Sequence, residues 1–219
     1  MIRIEKLSKS YRTKAGTHLV FRDLSLEVPL GTGLAILGRN GSGKTTLVNI
    51  IGGAENADGG RIICDASISW PVGLAGGFQP SLTARDNIKF VARLYSEKSE
   101  IPRIIQYVRD FAEIGEYFDM PVRTYSSGMH SRISFGLSMA FDFDYYLIDE
   151  VTSVGDPQFR NKCDTALEEK REKGAGFIVV SHQMEIVRRF CNVAVVMSSQ
   201  GGHFYDDVEE AIKAYQNNG

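Results

Sequence analysis

Gly38-Arg39-Asn40-Gly41-Ser42-Gly43-Lys44-Thr45 decides the reading of this chain. The octet fits G-x-x-x-x-G-K-[ST] at every fixed position. It lies between Thr32–Leu37, a short apolar run of strand character, and Thr45–Ile51, a helical run stopped by Gly52-Gly53. That context is the one the chemistry needs. Gly41 and Gly43 let the backbone curl so that successive N–H groups point inward as an anion nest. The helix starting at Lys44 adds its positive end. Lys44 is placed to reach the β- and γ-phosphates of a nucleotide, and Thr45 to hold Mg²⁺ through its hydroxyl. The expected cradle is therefore Gly38, Arg39, Asn40, Gly41, Ser42, Gly43, Lys44, Thr45 and Thr46.

A phosphate loop of this kind calls for an acid on a neighbouring strand. Asp149 ends the apolar run Tyr145–Ile148 and is the expected Mg²⁺ partner. Glu150 follows it and is placed to polarise an attacking water. The plainer alternative for Glu150 is a surface acid beside a structural aspartate.

Further out, the chain alternates strands and helices. Ile2–Leu7 and Leu19–Val28 read as an antiparallel edge around a polar turn at 11–17, and one or two short strands fall within 61–70. Residues 71–81 are a Gly- and Pro-bearing loop. From 82 to 141 the pattern is helical, with Asn87, Ile88, Phe90, Val91 and Leu94 at helix spacing, then Ile104, Ile105, Val108 and Phe111, then 129–141. Beyond it come a helix at Pro157–Lys173 capped by Asp156, a strand at Gly176–Val180, a helix at Met184–Phe190, a strand at Val193–Met197 and a helix at Val208–Tyr215. Continuous apolar strands between helices predict a parallel sheet buried on both faces. The expected organisation is one α/β domain over 1–219, with 1–81 and 142–219 as core and antiparallel part and 82–141 as a helical insertion.

Composition excludes several classes. Of 219 residues, 43% are hydrophobic and 24% charged, which sets aside disordered, collagen-like and coiled-coil chains. With 25 basic and 27 acidic residues the net charge is −2, which argues against a nucleic-acid binder working by bulk electrostatics. No run reaches the roughly 18 apolar residues of a membrane span, and the start, Met1-Ile2-Arg3-Ile4-Glu5-Lys6, lacks the apolar stretch expected of a signal peptide. A cytoplasmic protein with only peripheral membrane contact is expected. Cys64, Cys163 and Cys191 are scattered, without metal spacing, and are expected to be buried thiols. His18, His130 and His203 are expected at the surface. Asn161-Lys162-Cys163-Asp164 spells a guanine-reading motif, but it lies within a helical segment rather than after a strand, so it reads as coincidence.

Other short motifs narrow the class. Tyr125-Ser126-Ser127-Gly128-Met129 precedes a helix and resembles the L-S-G-G-Q signature of ABC ATPases. Gln79 stands at the distance of their Q-loop, Ser153-Val154-Gly155-Asp156 resembles their D-loop, and His182 ends a strand as their switch histidine does. Tyr11 takes the place of the aromatic that stacks on adenine. The stretch Ile68–Thr83, the run Phe118-Asp119-Met120-Pro121 and the run from Phe143 to Asp156 are similar to the ATP-binding subunits of capsular polysaccharide exporters, the KpsT type. Ser127 and Met129 depart from the common signature, and Val151 stands where many ABC proteins have proline. These changes bear on hydrolysis rate.

The resemblance implies a P-loop ABC ATPase fold: a RecA-like core with a parallel sheet, an antiparallel N-terminal β part and an inserted helical subdomain. It implies ATP and Mg²⁺ as cofactors, with Glu150, His182 and Gln79 catalytic and Thr45, Gln79 and Asp149 around the metal. It implies a head-to-tail homodimer in which Ser126, Ser127, Gly128 and Asp156 reach the partner subunit's ATP. An integral-membrane permease is the implied partner, no nucleic acid is, and the implied location is the cytoplasmic face of the inner membrane. Trp70, Leu74, Phe78 and Phe90 either line the permease groove or belong to the core. The implied work is export of lipid-linked capsular polysaccharide. Export of another cargo, such as teichoic acid or O-antigen, and a non-transport ABC ATPase are the alternatives.

Overall fold

The computed structural model describes residues 1–14, 16–73, 77–149, 156–198 and 201–217. The chain forms two compact units, Met1–Ser69 with Phe143–Glu150 and Arg171–Gly219, and Trp70–Asp142 with Val151–Lys170.

The first unit carries two sheets. In the smaller, β1 (Ile2–Thr13) pairs antiparallel with both β2 (Gly16–Val28) and β4 (Gly59–Cys64), in the order β2-β1-β4. The larger sheet has the order β5-β6-β7-β3-β8-β9. Here β3 is Leu34–Gly38, β5 Ile68–Pro71, β6 Tyr145–Asp149, β7 Gly176–Val180, β8 Val193–Ser198 and β9 Gly201–Tyr205. β6 pairs parallel with β7, and β3 pairs parallel with β7 and β8. β3 and β7 are buried along their whole length, as a strand covered on both faces requires. Helix α1 (Lys44–Ile51) buries Leu47, Val48, Ile50 and Ile51 in a core shared with Ile4, Phe21, Leu26, Ile36, Leu147, Ile178 and Val195.

The N-terminal hairpin departs from expectation. Most of the expected turn is strand: Tyr11, Arg12 and Thr13 pair with His18, Thr17 and Gly16, and Lys14 is a turn residue. This end of the ribbon is exposed, so no apolar alternation marks it. Lys6 and Asp23 adopt positive φ, 48° and 52°, where the register shifts, and this breaks the period of two elsewhere. Strand β9, pairing antiparallel with β8, was hidden by its Gly201-Gly202 start.

In the second unit, α2 (Ala84–Tyr95), α3 (Ile101–Ala112), α4 (Ser127–Met139) and α5 (Pro157–Glu172) follow the apolar spacing. Phe111 stacks on Phe135 (5.7 Å) and meets Phe159 edge-on (5.7 Å) at the centre of this core. Asn161–Asp164 lies inside α5, as the helical reading required. Two surface assignments change. Cys64 is exposed, whereas Cys163 and Cys191 are buried, with desolvation pushing the Cys163 thiol up to about 12. His130 is half-buried against Tyr125, with its Nδ1 covered and unpartnered among the described residues. Among the described residues no helix is long and apolar enough to cross a membrane.

Candidate nucleotide site

The phosphate loop turns between β3 and α1 with three glycines at positive φ: Gly38 at 152°, Gly41 at 81° and Gly43 at 94°. A Cβ on Gly43 would lie 2.3 Å from Val20 Cγ1, and one on Gly38 would lie 2.5 Å from Ser42 Oγ and 2.7 Å from the Met197 carbonyl oxygen. These positions therefore demand glycine for space as well as for backbone angle. Gly43 gives α1 no side-chain cap and the first turn holds no acid, so the positive helix end meets the loop uncompensated. Lys44 Nζ donates to the carbonyls of Gly38 (2.7 Å) and Arg39 (3.1 Å), bracing the loop across its mouth.

A cleft of about 420 Å³ opens over this loop, lined by Tyr11, Asn40, Gly41, Gly43, Lys44, Thr45, Thr46, Asp149 and His182, together with His18, Val20 and Val180. Asp149 arrives at the end of β6 opposite Val180, and His182 stands two residues past the end of β7. Parallel pairing in register thus delivers both side chains to the carboxyl edge of the sheet beside the loop. Gly38, Arg39 and Ser42 line an adjoining cleft with Met197 and Tyr215.

Tyr11 is fixed by contacts that sequence reading missed. Its hydroxyl donates to Glu55 Oε1 (2.7 Å) and lies 3.3 Å from Thr46 Oγ1. Lys9 pairs with Glu55 (3.0 Å) and sits 5.2 Å from the Tyr11 ring centre. The Tyr11 hydroxyl, then the Lys9 ammonium, hold the Glu55 carboxyl below its ordinary value. Lys9 and Tyr11 share one face of β1, a signal open to sequence reading. Glu55 is 44 positions from Tyr11 and gives none.

The remaining expected residues lie in the other unit or outside the described residues. Gln79 is in the second unit, where its backbone N–H donates to Asn87 Oδ1 (2.7 Å) and its carbonyl accepts from Asn87 Nδ2 (3.2 Å). Ser126 caps α4, its hydroxyl accepting from the Met129 N–H (3.3 Å), and Ser127 and Gly128 form the first turn. Asp156 caps α5 through the Phe159 N–H (3.0 Å) and binds Arg132 Nη2 (2.7 Å). Glu150, Ser153, Gly155, Val151 and Leu74 lie outside the described residues. Of the docking candidates, Trp70 donates to Ser138 Oγ (2.9 Å), Phe78 is half-buried, and Phe90 is 61% exposed.

A phosphate loop between a buried parallel strand and an uncapped helix, with an aspartate at a nearby strand end, defines a P-loop nucleotide-binding protein. The fold is shared with an ATP-binding cassette solved as a dimer bound to ADP and Pi (TM-score 0.79, 20% identity, 95% of this chain and 99% of that one). It is also shared with an ATP-binding subunit of an ABC transporter (TM-score 0.79, 18% identity, 99% of each chain). Residues 21–153 match the family described as ABC transporter. Over 217 residues the chain is 54% identical to the polysialic acid transport ATP-binding protein KpsT of Escherichia coli, covering 99% of this chain and 96% of that protein. It is 43% identical to the capsule polysaccharide export ATP-binding protein CtrD of Neisseria meningitidis (99% and 97% covered) and 40% identical to the ATP-binding protein BexA of Haemophilus influenzae (98% of each). The chain belongs to the ABC transporter family, and within it to the KpsT type of ATP-binding protein.

Proposed function

We propose that this protein is the motor subunit of a capsular polysaccharide exporter, hydrolysing ATP at the cytoplasmic face of the inner membrane to drive a lipid-linked polymer through an integral-membrane permease. The observation that carries the reading is the 54% identity over nearly the whole length of a polysialic acid transport protein. The whole chain acts as one ABC ATPase domain, with 82–141 as its helical part.

In this reading the loop from Gly38 to Thr46 binds the phosphates and the Tyr11 ring supports the adenine. Thr45 and Asp149 would hold Mg²⁺. The donor set fits that ion: one hydroxyl and one carboxylate line the same cleft, and no cluster of three or more His, Cys, Asp or Glu forms a protein cage among the described residues. Mg²⁺ characteristically takes such sparse protein donors together with phosphates and water, and it supplies charge neutralisation there. Glu150 orients the attacking water, and His182 donates a hydrogen bond toward the γ-phosphate. Two copies associate head to tail, so that the Ser126–Gly128 helix start and Asp156 complete the partner subunit's site.

The test places Glu150→Gln in the native cell and separates surface from intracellular polysaccharide. Polymer should accumulate inside and disappear from the surface, while the purified variant still binds ATP and dimerises. An unchanged coat, with the variant present at the membrane, would keep the ABC motor but overturn the polysaccharide cargo. Full turnover by Glu150→Gln would remove that residue from the hydrolytic step.

A further inference from the structure

The C-terminal helix α7 (Val208–Asn217) reaches the nucleotide cleft through one side chain. Tyr215 Oη and His182 Nδ1 are 3.3 Å apart. His182 lines the cleft with Lys44, Thr45 and Asp149, while Tyr215, half-buried, lines the adjoining cleft behind Arg39–Ser42. The contact therefore crosses from the helix packed behind the loop to the histidine beside it.

The elements that carry this contact are tied to one another and to the core. His182 sits between β7 and α6 (Met184–Phe190). The Gln183 N–H donates to Ser181 Oγ (3.0 Å), and Val187 and Phe190 anchor α6 in the core. α6 is tied to α7 by a two-pronged Arg188–Glu209 pair (2.7 and 3.2 Å). α7 is fixed at its start by the Val208 N–H on the Asn192 carbonyl (3.0 Å) and by Asp207 Oδ1 accepting from the Glu210 N–H (2.9 Å). Ala211 and Ile212 are buried beneath it.

A neutral imidazole has one donor and one acceptor nitrogen, so the partner of one nitrogen sets the role of the other. If Nδ1–H donated to the tyrosine oxygen, Nε2 would be an acceptor and would oppose a phosphate oxygen. If the tyrosine O–H donates to Nδ1, the proton resides on Nε2, which is then the donor that a terminal phosphate requires. We propose that Tyr215 is a positioning residue that fixes His182 as the Nε2–H tautomer for γ-phosphate contact. This rests on the reading of His182 given under the proposed function.

Steady-state ATPase kinetics of Tyr215→Phe, His182→Ala and the double variant test it, with 15N spectra of histidine-labelled protein bound to Mg²⁺ and a non-hydrolysable ATP analogue. Tyr215→Phe should lower kcat about two- to tenfold, the effect of one neutral hydrogen bond, with KM for ATP changed less than about twofold. In the His182→Ala background the same change should have no further effect on kcat. The spectra, assigned by the resonance that His182→Ala removes, should show Nε2–H in the wild type and a mixture of tautomers in Tyr215→Phe. A kcat defect that persists without His182 would make Tyr215 a structural residue and overturn the proposal. So would an Nδ1–H imidazole in the wild type, or unchanged kcat in Tyr215→Phe. Normal turnover by His182→Ala alone would overturn the reading of His182 itself and the proposal with it.

Discussion

Gly41 and Gly43 show how far two glycines of one loop can differ. Both have positive φ, 81° and 94°, so any other L-residue there is strained by about 1–2 kcal/mol. A Cβ at Gly41 meets nothing within 4 Å, whereas at Gly43 it would lie 2.3 Å from Val20 Cγ1. Gly43→Ala must therefore turn the Val20 side chain or displace β2 or the start of α1. Titration calorimetry with Mg-ADP should find Gly43→Ala weakened by more than about tenfold, equivalent to about 1.4 kcal/mol, and Gly41→Ala weakened less. Equal or greater loss in Gly41→Ala would mean that close approach of ligand, not the Val20 contact, governs the loop. Lys44→Ala removes both the charge and the bonds to the Gly38 and Arg39 carbonyls. It should abolish measurable Mg-ADP binding in the same titration, and retained affinity would remove Lys44 from the cradle.

Among elements, β6 holds Asp149 at the cleft, and Tyr145 at its start holds β6. The ring is fully buried and its hydroxyl donates to the carbonyls of Val28 (2.9 Å) and Pro29 (2.7 Å) at the end of β2. Desolvation pushes the phenol up to about 12, so it remains a donor throughout the working range. Tyr145→Phe removes one donor from these carbonyls, the Pro29 oxygen keeping the Thr32 N–H (3.2 Å), and should cost about 1 kcal/mol. Urea unfolding should show a lower midpoint at unchanged slope, and an unchanged midpoint would show that the carbonyls find other donors. This bond spans more than a hundred positions, which is why it was illegible in the sequence. What was legible had local causes: the loop's glycines, the apolar runs of β3, β6 and β7, and the Asp156–Pro157 start of α5. The exposed end of the β1–β2 hairpin and β9 lacked apolar alternation, so their pairing had no sequence trace. At the site, Lys44, Thr45 and Asp149 could be named in advance because each ends or begins a recognisable element. Glu55 and Tyr215 could not, because their partners are brought to them only by the packed fold.

For the molecule as a whole, acid should be the sensitive direction. Seven carboxylates among the described residues lie below their ordinary values, Asp58 and Asp144 in the first unit and Asp119 and Asp156 in the second among them. Asp58 accepts from the Ser10 hydroxyl and N–H (2.7 Å each), and Asp144 accepts from the Ser67 N–H and hydroxyl (2.7 Å each). Asp119 is held by the Arg85 guanidinium, and Asp156 by the Phe159 N–H and Arg132. A carboxyl whose folded pKa is depressed binds fewer protons in the folded than in the unfolded chain. Its stabilisation is complete above the unfolded value of about 4 and is lost as pH falls through the folded value. The urea midpoint should therefore be flat from pH 7 to about 5 and decline below about 4. The bonds to Ser10, Ser67 and Phe159 are short-range and to neutral donors, so salt should leave most of the decline in place, whereas the Arg85–Asp119 share should screen. Asp144→Asn can no longer titrate there, and its midpoint should be lower at pH 7 but fall less between pH 5 and 3 than the wild type. A midpoint that stays flat down to pH 3, or an Asp144→Asn protein with the full wild-type decline, would place the acid sensitivity elsewhere than in these paired carboxylates.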